Sequence, residues 1–425
     1  MKFTAITAAV FLFFLLALSN AANFETPGNL KTSAILPAEV VRGTNYEIED
    51  PVPSDGYTFT FSVNSTFGTF PAEGETQLAI RLKEIAAITE LKKITSSEAF
   101  AKAAGNAALN PIQSTANFVQ NPEETVKGIP GGVKRKFENI GRMAKKSAKK
   151  VSEQDEIDPP EEETAGSQSS KSTASTVTKS ILGVTAAQRK WAEKVGADPY
   201  STNAILQQEL QRLAKYDAAG KLTTNAVRPK IQGVETVARI NNLVWSKDPY
   251  ELQKLNEQNL REMGIDPDLA SKFLSQKAYT VTYQTQLISS LYSLGKVPGQ
   301  ENFLRTALSA RDTGDALFYC TSAAILEKIH RSGTPISGFL SHPRIALAKS
   351  GKKLIAVLPA DRLFWTATFE SALKNFMQQY QTDLKTSSQK HLWLSGGATA
   401  QAKAELQKLG WFVHENTLSP LSKEL

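Results

Sequence analysis

Residues 391–414 read HLWLSGGATAQAKAELQKLGWFVH. A short apolar run, His391 to Leu394, stops at Ser395-Gly396-Gly397. A helical stretch from Thr399 to Leu409 ends at Gly410, and Trp411 to His414 reads as a second strand. Strand, glycine turn, helix, glycine and strand make a βαβ unit. Such a unit forces its two strands parallel, with a right-handed crossover.

The flanking sequence extends this unit into a small α/β domain over 336–425. Arg344–Ala348 and Leu354–Leu358 flank Ser350-Gly351 as a hairpin, and Phe364–Tyr380 reads as helix. Upstream, 179–335 reads as a helical domain. Asp198-Pro199-Tyr200 and Asp248-Pro249-Tyr250 each place Asp where it can cap a helix start and Pro where the first turn accepts it. The two are read as ordinary capped helices rather than a duplication. A helix from about Glu301 to His330 is expected to break near Gly314.

Nearer the amino terminus, Tyr57, Phe59, Phe61 and Val63 alternate with Thr58, Thr60 and Ser62, the period of a half-buried strand. From Glu75 the period turns helical, with Leu78, Leu82, Ile85, Ile88 and Leu91 on one stripe. The expected fold is α+β and predominantly helical. It comprises a small N-terminal β element, a central helical domain and a small C-terminal α/β domain with the βαβ unit. The expected divisions are 1–21, 22–151, 152–178, 179–335 and 336–425.

Residues 1–21 have the form of a secretory signal peptide. Lys2 is followed by an apolar run from Phe3 to Leu18, and Ser19 and Ala21 suit the small positions before a cleavage site near Ala21. The run is shorter than the about 20 residues a spanning helix needs. Export to a periplasm or cell envelope is therefore expected. Cys320 is the one cysteine, so no disulfide forms within the chain.

The formal charge is +7, concentrated in one place. Between Val133 and Val151 stand Lys134, Arg135, Lys136, Arg142, Lys145, Lys146, Lys149 and Lys150, against the single acid Glu138. A thin apolar stripe of Val133, Phe137, Ile140, Ala144 and Ala148 makes this a basic amphipathic helix. It is suited to an anionic membrane surface or another envelope polyanion. Nucleic acid is not expected as a partner, because the chain is exported and Phe137 alone is available to stack on bases. Residues 152–178 are acidic and then rich in Ser and Thr, and read as a disordered linker. The helical domain is a further surface for a protein partner.

Known catalytic patterns do not fit. Trp393 stands where a Ser nucleophile elbow needs its first Gly, and Gly396-Gly397 lacks the spacing of a dinucleotide loop. Val133 and Arg135 break a phosphate-loop pattern at 128–136. His330, His342, His391 and His414 show no metal-ligand spacing, so no metal or cofactor is expected from spacing alone. The neighbouring strands do offer one arrangement: His391 and His414 come within reach of each other and of Glu415. With Ser395 they are the candidate catalytic residues of an alternative reading, an envelope hydrolase. The leading reading is a non-enzymatic scaffold or binding module. Trp365, Trp393 and Trp411 are expected in the core of the last domain.

Overall fold

The computed structural model describes residues 24–104, 186–217, 226, 228–229 and 242–421. The expected signal peptide 1–21, the basic stretch 133–151 and the expected linker 152–178 lie outside the described residues. The fold is α+β and mostly helical, with its larger sheet near the C-terminal end.

The first sheet is a four-stranded antiparallel meander: β1 (Arg42–Gly43), β2 (Tyr46–Ile48), β3 (Thr60–Ser65) and β4 (Gly68–Glu73). Ile48, Val63 and Phe70 align across three strands, and Phe61 pairs with Ala72. The same face of the sheet therefore stays apolar along its length and packs on the helix Gly74–Thr95. Thr60, Asn64, Thr69 and Pro71 are left outside or at the rim.

The helix Ala204–Tyr216 packs on the helix Gly74–Thr95, and Trp191, Leu206, Leu210 and Leu213 belong to the same core as Phe61 and Leu82. Lys92 and Thr95 both reach Glu209, at 3.1 and 3.3 Å, which closes the far end of this contact. The first core is thus built from both sides of 105–185. The physical reason is that each of these two helices carries one apolar stripe, and each buries it against the other.

A second core spans residue 335 in the same way. Helices Pro249–Glu262, Pro267–Leu274, Val281–Tyr292, Gln300–Ala307 and Thr313–Arg331 share a core with Phe339, Ala348, Ile355 and Val357 of the second sheet. The break expected near Gly314 is present, with Asp312 capping the helix that follows it.

The second sheet has the order β9 (Trp411–His414), β8 (Gln389–Leu394), β7 (Lys353–Leu358), β6 (Ala346–Ser350), β5 (Gly338–Leu340). The hairpin β6–β7 is antiparallel, whereas β7, β8 and β9 run parallel, as the βαβ reading requires. Helices Ala367–Gln379 and Ala400–Lys408 cover one face through Phe369, Phe376, Ala402 and Leu406. The helix Thr313–Arg331 covers the other face over β6 and β7.

The two Asp-Pro-Tyr segments part company. Asp248 forms a full capping box with Glu251 and starts a helix at Pro249. Asp198 caps none: Asn203 caps the helix at Ala204, accepting from the backbone N–H groups of Ile205 and Leu206. Asp198 instead accepts from Tyr200 N (2.9 Å) and from Thr282 Oγ1 (2.7 Å) on another helix.

Candidate functional site

Open parallel sheets hold ligands at the carboxyl ends of their strands, where loop N–H groups converge. Here that crevice lies at Ser395–Thr399, and the chain fills it itself. Gly396 N donates to Ala360 O (2.8 Å), Gly397 N to Asp361 O (3.0 Å) and Thr399 N to Leu363 O (2.9 Å). Ala398 N donates to Glu415 Oε1 at 2.8 Å. The four backbone N–H groups from Gly396 to Thr399 are thus all engaged within the chain. Glu25, from the amino-terminal arm, accepts from Trp365 N and from Thr399 Oγ1, both at 2.6 Å.

Ser395 is buried and its hydroxyl donates to Ala360 O at 2.9 Å. The structure brings the two histidines together, while the Ser395 hydroxyl is engaged with backbone. Glu415 is likewise engaged, with Ala398 N and with Lys403 Nζ at 3.0 Å.

The histidine pair follows from register. His391 lies opposite Phe412, and Trp393 opposite His414. Side chains two apart share a face, so these four residues stand together where the helix Thr313–Arg331 no longer covers the sheet. His391 Nδ1 and His414 Nε2 are 2.8 Å apart. His391 Nε2 lies 3.2 Å from Gln389 Oε1. The Trp393 ring stacks on His414 at 3.8 Å between centroids, and Phe412, about half exposed, stacks on His391 at 5.1 Å. Partial burial, then His414, then Lys353, lowers the pKa of His391 to about 4. Burial and Lys353 lower that of His414 as well. Both imidazoles are neutral at physiological pH, so one proton can be shared between the facing nitrogens.

Of the three tryptophans expected in the last core, Trp365 and Trp411 are there; Trp393 is the exception, packing at the rim of the other face. Cys320 donates to Tyr283 O at 3.3 Å, and His330 Nδ1 accepts from Ile336 N at 3.1 Å. Ten helical residues separate Cys320 from His330, about 15 Å of rise, so they form no catalytic pair.

A second polar cluster was not legible in the sequence. Arg81 pairs with Glu84 at 2.7 Å, and Glu84 also takes the Asn203 amide (2.9 Å) and the Ser201 hydroxyl. Arg81, Glu84 and Ser201, with Asp198, Thr282 and Tyr283, are among the residues lining a cavity of about 40 Å³. A water needs at least about 10–15 Å³ on this measure, so the space suits a few waters and is too small for an organic substrate. Elsewhere, a solvent-open groove of about 350 Å³ lies between Met263–Ile265 and Lys296–Glu301. Its buried Gln300 amide is spent on Leu291 O and Gly295 O, both at 3.0 Å.

Comparisons with protein-family models, with curated proteins and with solved structures give no match. Among the described residues no helix is long and apolar enough to cross a membrane. The basic candidates Lys134 to Lys150 lie outside the described residues.

Proposed function

We propose that this chain is an exported, non-enzymatic envelope protein, a scaffold or binding module that meets an anionic membrane surface through its basic stretch 133–150. The observation that carries the non-enzymatic part is the closed strand-end turn. The backbone N–H groups of Gly396, Gly397, Ala398 and Thr399 are all spent on the protein's own oxygens. The surface part is supported by charge: eight basic residues against Glu138 within one helical-period stretch.

Sedimentation with anionic and neutral vesicles at low and moderate salt tests it. Basic residues contribute about 1 kcal/mol each near an anionic surface. Changing Lys145, Lys146, Lys149 and Lys150 to Gln should therefore weaken binding by two orders of magnitude or more. Binding by the wild type to anionic vesicles alone, weakened by salt and lost in the variant, is the expected result. Equal partition of variant and wild type would sink the proposal.

A second reading, an envelope hydrolase at the sheet edge, draws support from the His391–His414 contact. It would need Ser395 to release Ala360 O. A hydrolytic activity of the purified protein that Ser395→Ala abolishes would favour it.

A further inference from the structure

The geometry points to His391 and His414 as a paired-imidazole site for a divalent transition-metal ion, with Cu²⁺ preferred over Zn²⁺. Three independent features of the pair support it.

The first is spacing. Two imidazole nitrogens bound cis to one ion at about 2.0–2.1 Å stand about 2.9 Å apart. The facing nitrogens here are 2.8 Å apart, the separation of such a cis pair; an ion would sit beside the line between them, each ring turning by about 45° to aim its lone pair and His414 carrying its proton on Nδ1 instead.

The second is orientation. Ligating histidines are set by the hydrogen bond on the other ring nitrogen. Gln389 Oε1, 3.2 Å from His391 Nε2, accepts a proton there and leaves the Nδ1 lone pair facing His414.

The third is bracing. Trp393 stacks on His414 and Phe412 on His391, which holds both rings against the sheet before any ion arrives.

Two features set the character of the site. Among the described residues no third His, Cys, Asp or Glu joins the pair, so water or a second molecule completes the coordination. Such a site is open and exchangeable. The Lys353 ammonium acts on both rings and opposes a bound cation. Neutral nitrogen donors favour Cu²⁺ by the usual ordering of divalent ions, and disfavour Mg²⁺ and Ca²⁺.

The test titrates the full, tag-free chain with CuCl₂ and, separately, ZnCl₂ in a non-coordinating buffer. Tryptophan fluorescence and electron paramagnetic resonance are the readouts. One equivalent of Cu²⁺ should bind, with nitrogen hyperfine structure, and should quench the fluorescence of Trp393. Zn²⁺ should bind more weakly. His391→Asn or His414→Asn should cost about tenfold or more in Cu²⁺ affinity, in the range that loss of ligand-shell groups produces. Trp393→Phe should remove the quenching and keep the binding. Lys353→Met leaves both rings in place and should tighten binding by about threefold, as removal of a neighbouring like charge does. Cu²⁺ affinity unchanged in the His391→Asn/His414→Asn double variant, or unchanged in Lys353→Met, would overturn the assignment.

Discussion

The carboxylate of Asp361 accepts a hydrogen bond from the backbone N–H of Glu75 at 2.8 Å, across 286 residues of chain. Its other oxygen accepts from Phe59 N, also at 2.8 Å. Asp361 thus supplies, from the second sheet's loop, the cap that the helix Gly74–Thr95 lacks locally, since Glu73 makes no side-chain cap bond. The contact is buried and fastens the first core to the last. Tyr57 O strengthens the junction by accepting from Asp361 N at 2.8 Å.

Asp361→Ala leaves two buried N–H groups without acceptors. A buried donor stripped of its partner costs about 1–3 kcal/mol, so the variant should lose about 3 kcal/mol or more in urea unfolding. Asp361→Asn keeps one acceptor oxygen and should lose less. Equal stability of Asp361→Ala and wild type would remove the cap from the account.

Gly396→Ala should be among the least tolerated changes in the second sheet's loops. A Cβ at Gly396 would stand 2.2 Å from Asp361 O and 2.9 Å from Ala360 O, both backbone atoms that cannot swing aside. Overpacking of this kind costs about 1–3 kcal/mol. Gly351→Ala offers a contrast: its Cβ would meet nothing within 4 Å, leaving only the strain of φ +57°. Thermal unfolding of the two variants should place Gly396→Ala lower.

The βαβ unit was legible because its period switches from strand to helix and back between glycines, and its parallel pairing brought His391 and His414 together as the pattern implied. The closing of the strand-end crevice was not legible. Glu415 reaches back within its own βαβ unit, whereas Glu25 and Asp361 are single carboxylates in aperiodic stretches, and their partners lie on segments far away in sequence. The same holds for Ser395, whose engagement depends on how 360–363 docks. Identical Asp-Pro-Tyr segments read alike, yet Asn203 takes the capping position after the first and frees Asp198 for Thr282. The cores shared across 179 and 335 were not legible because an apolar stripe announces that a helix packs, and not on what. The composition of the 133–150 stretch speaks only of charge, and its partner rests on experiment.

Cys320 should behave as an inert core residue. It is buried, its thiol donates to Tyr283 O at 3.3 Å, and burial pushes its pKa well above the ordinary thiol range. Reactivity follows the exposed thiolate. The native chain should resist a thiol reagent such as DTNB, and one thiol per chain should react once urea unfolds it. Prompt labelling of the folded protein at neutral pH would contradict the packing.

Asp198 should give the protein a pH-dependent stability of identifiable sign. The carboxyl is largely buried beside a small cavity, and burial is the main reason its pKa rises from 3.8 to about 6; the nearby Glu84 adds to the rise, while Tyr200 N and Thr282 Oγ1 oppose it. The folded state therefore holds the proton more tightly than the unfolded chain. By linkage, stability falls as pH rises wherever the folded state binds more protons. The cost is absent below about pH 4, grows between pH 4 and 6, and is complete above that. A shift of this size corresponds to about 3 kcal/mol. Asp198→Asn keeps an oxygen for Tyr200 N and Thr282 Oγ1 but cannot ionise. Urea unfolding of wild type and variant at pH 4 and at pH 7.5 isolates this group from all others. The variant should gain about 3 kcal/mol relative to wild type between the two pH values, and a constant difference would show that Asp198 ionises in the fold without penalty.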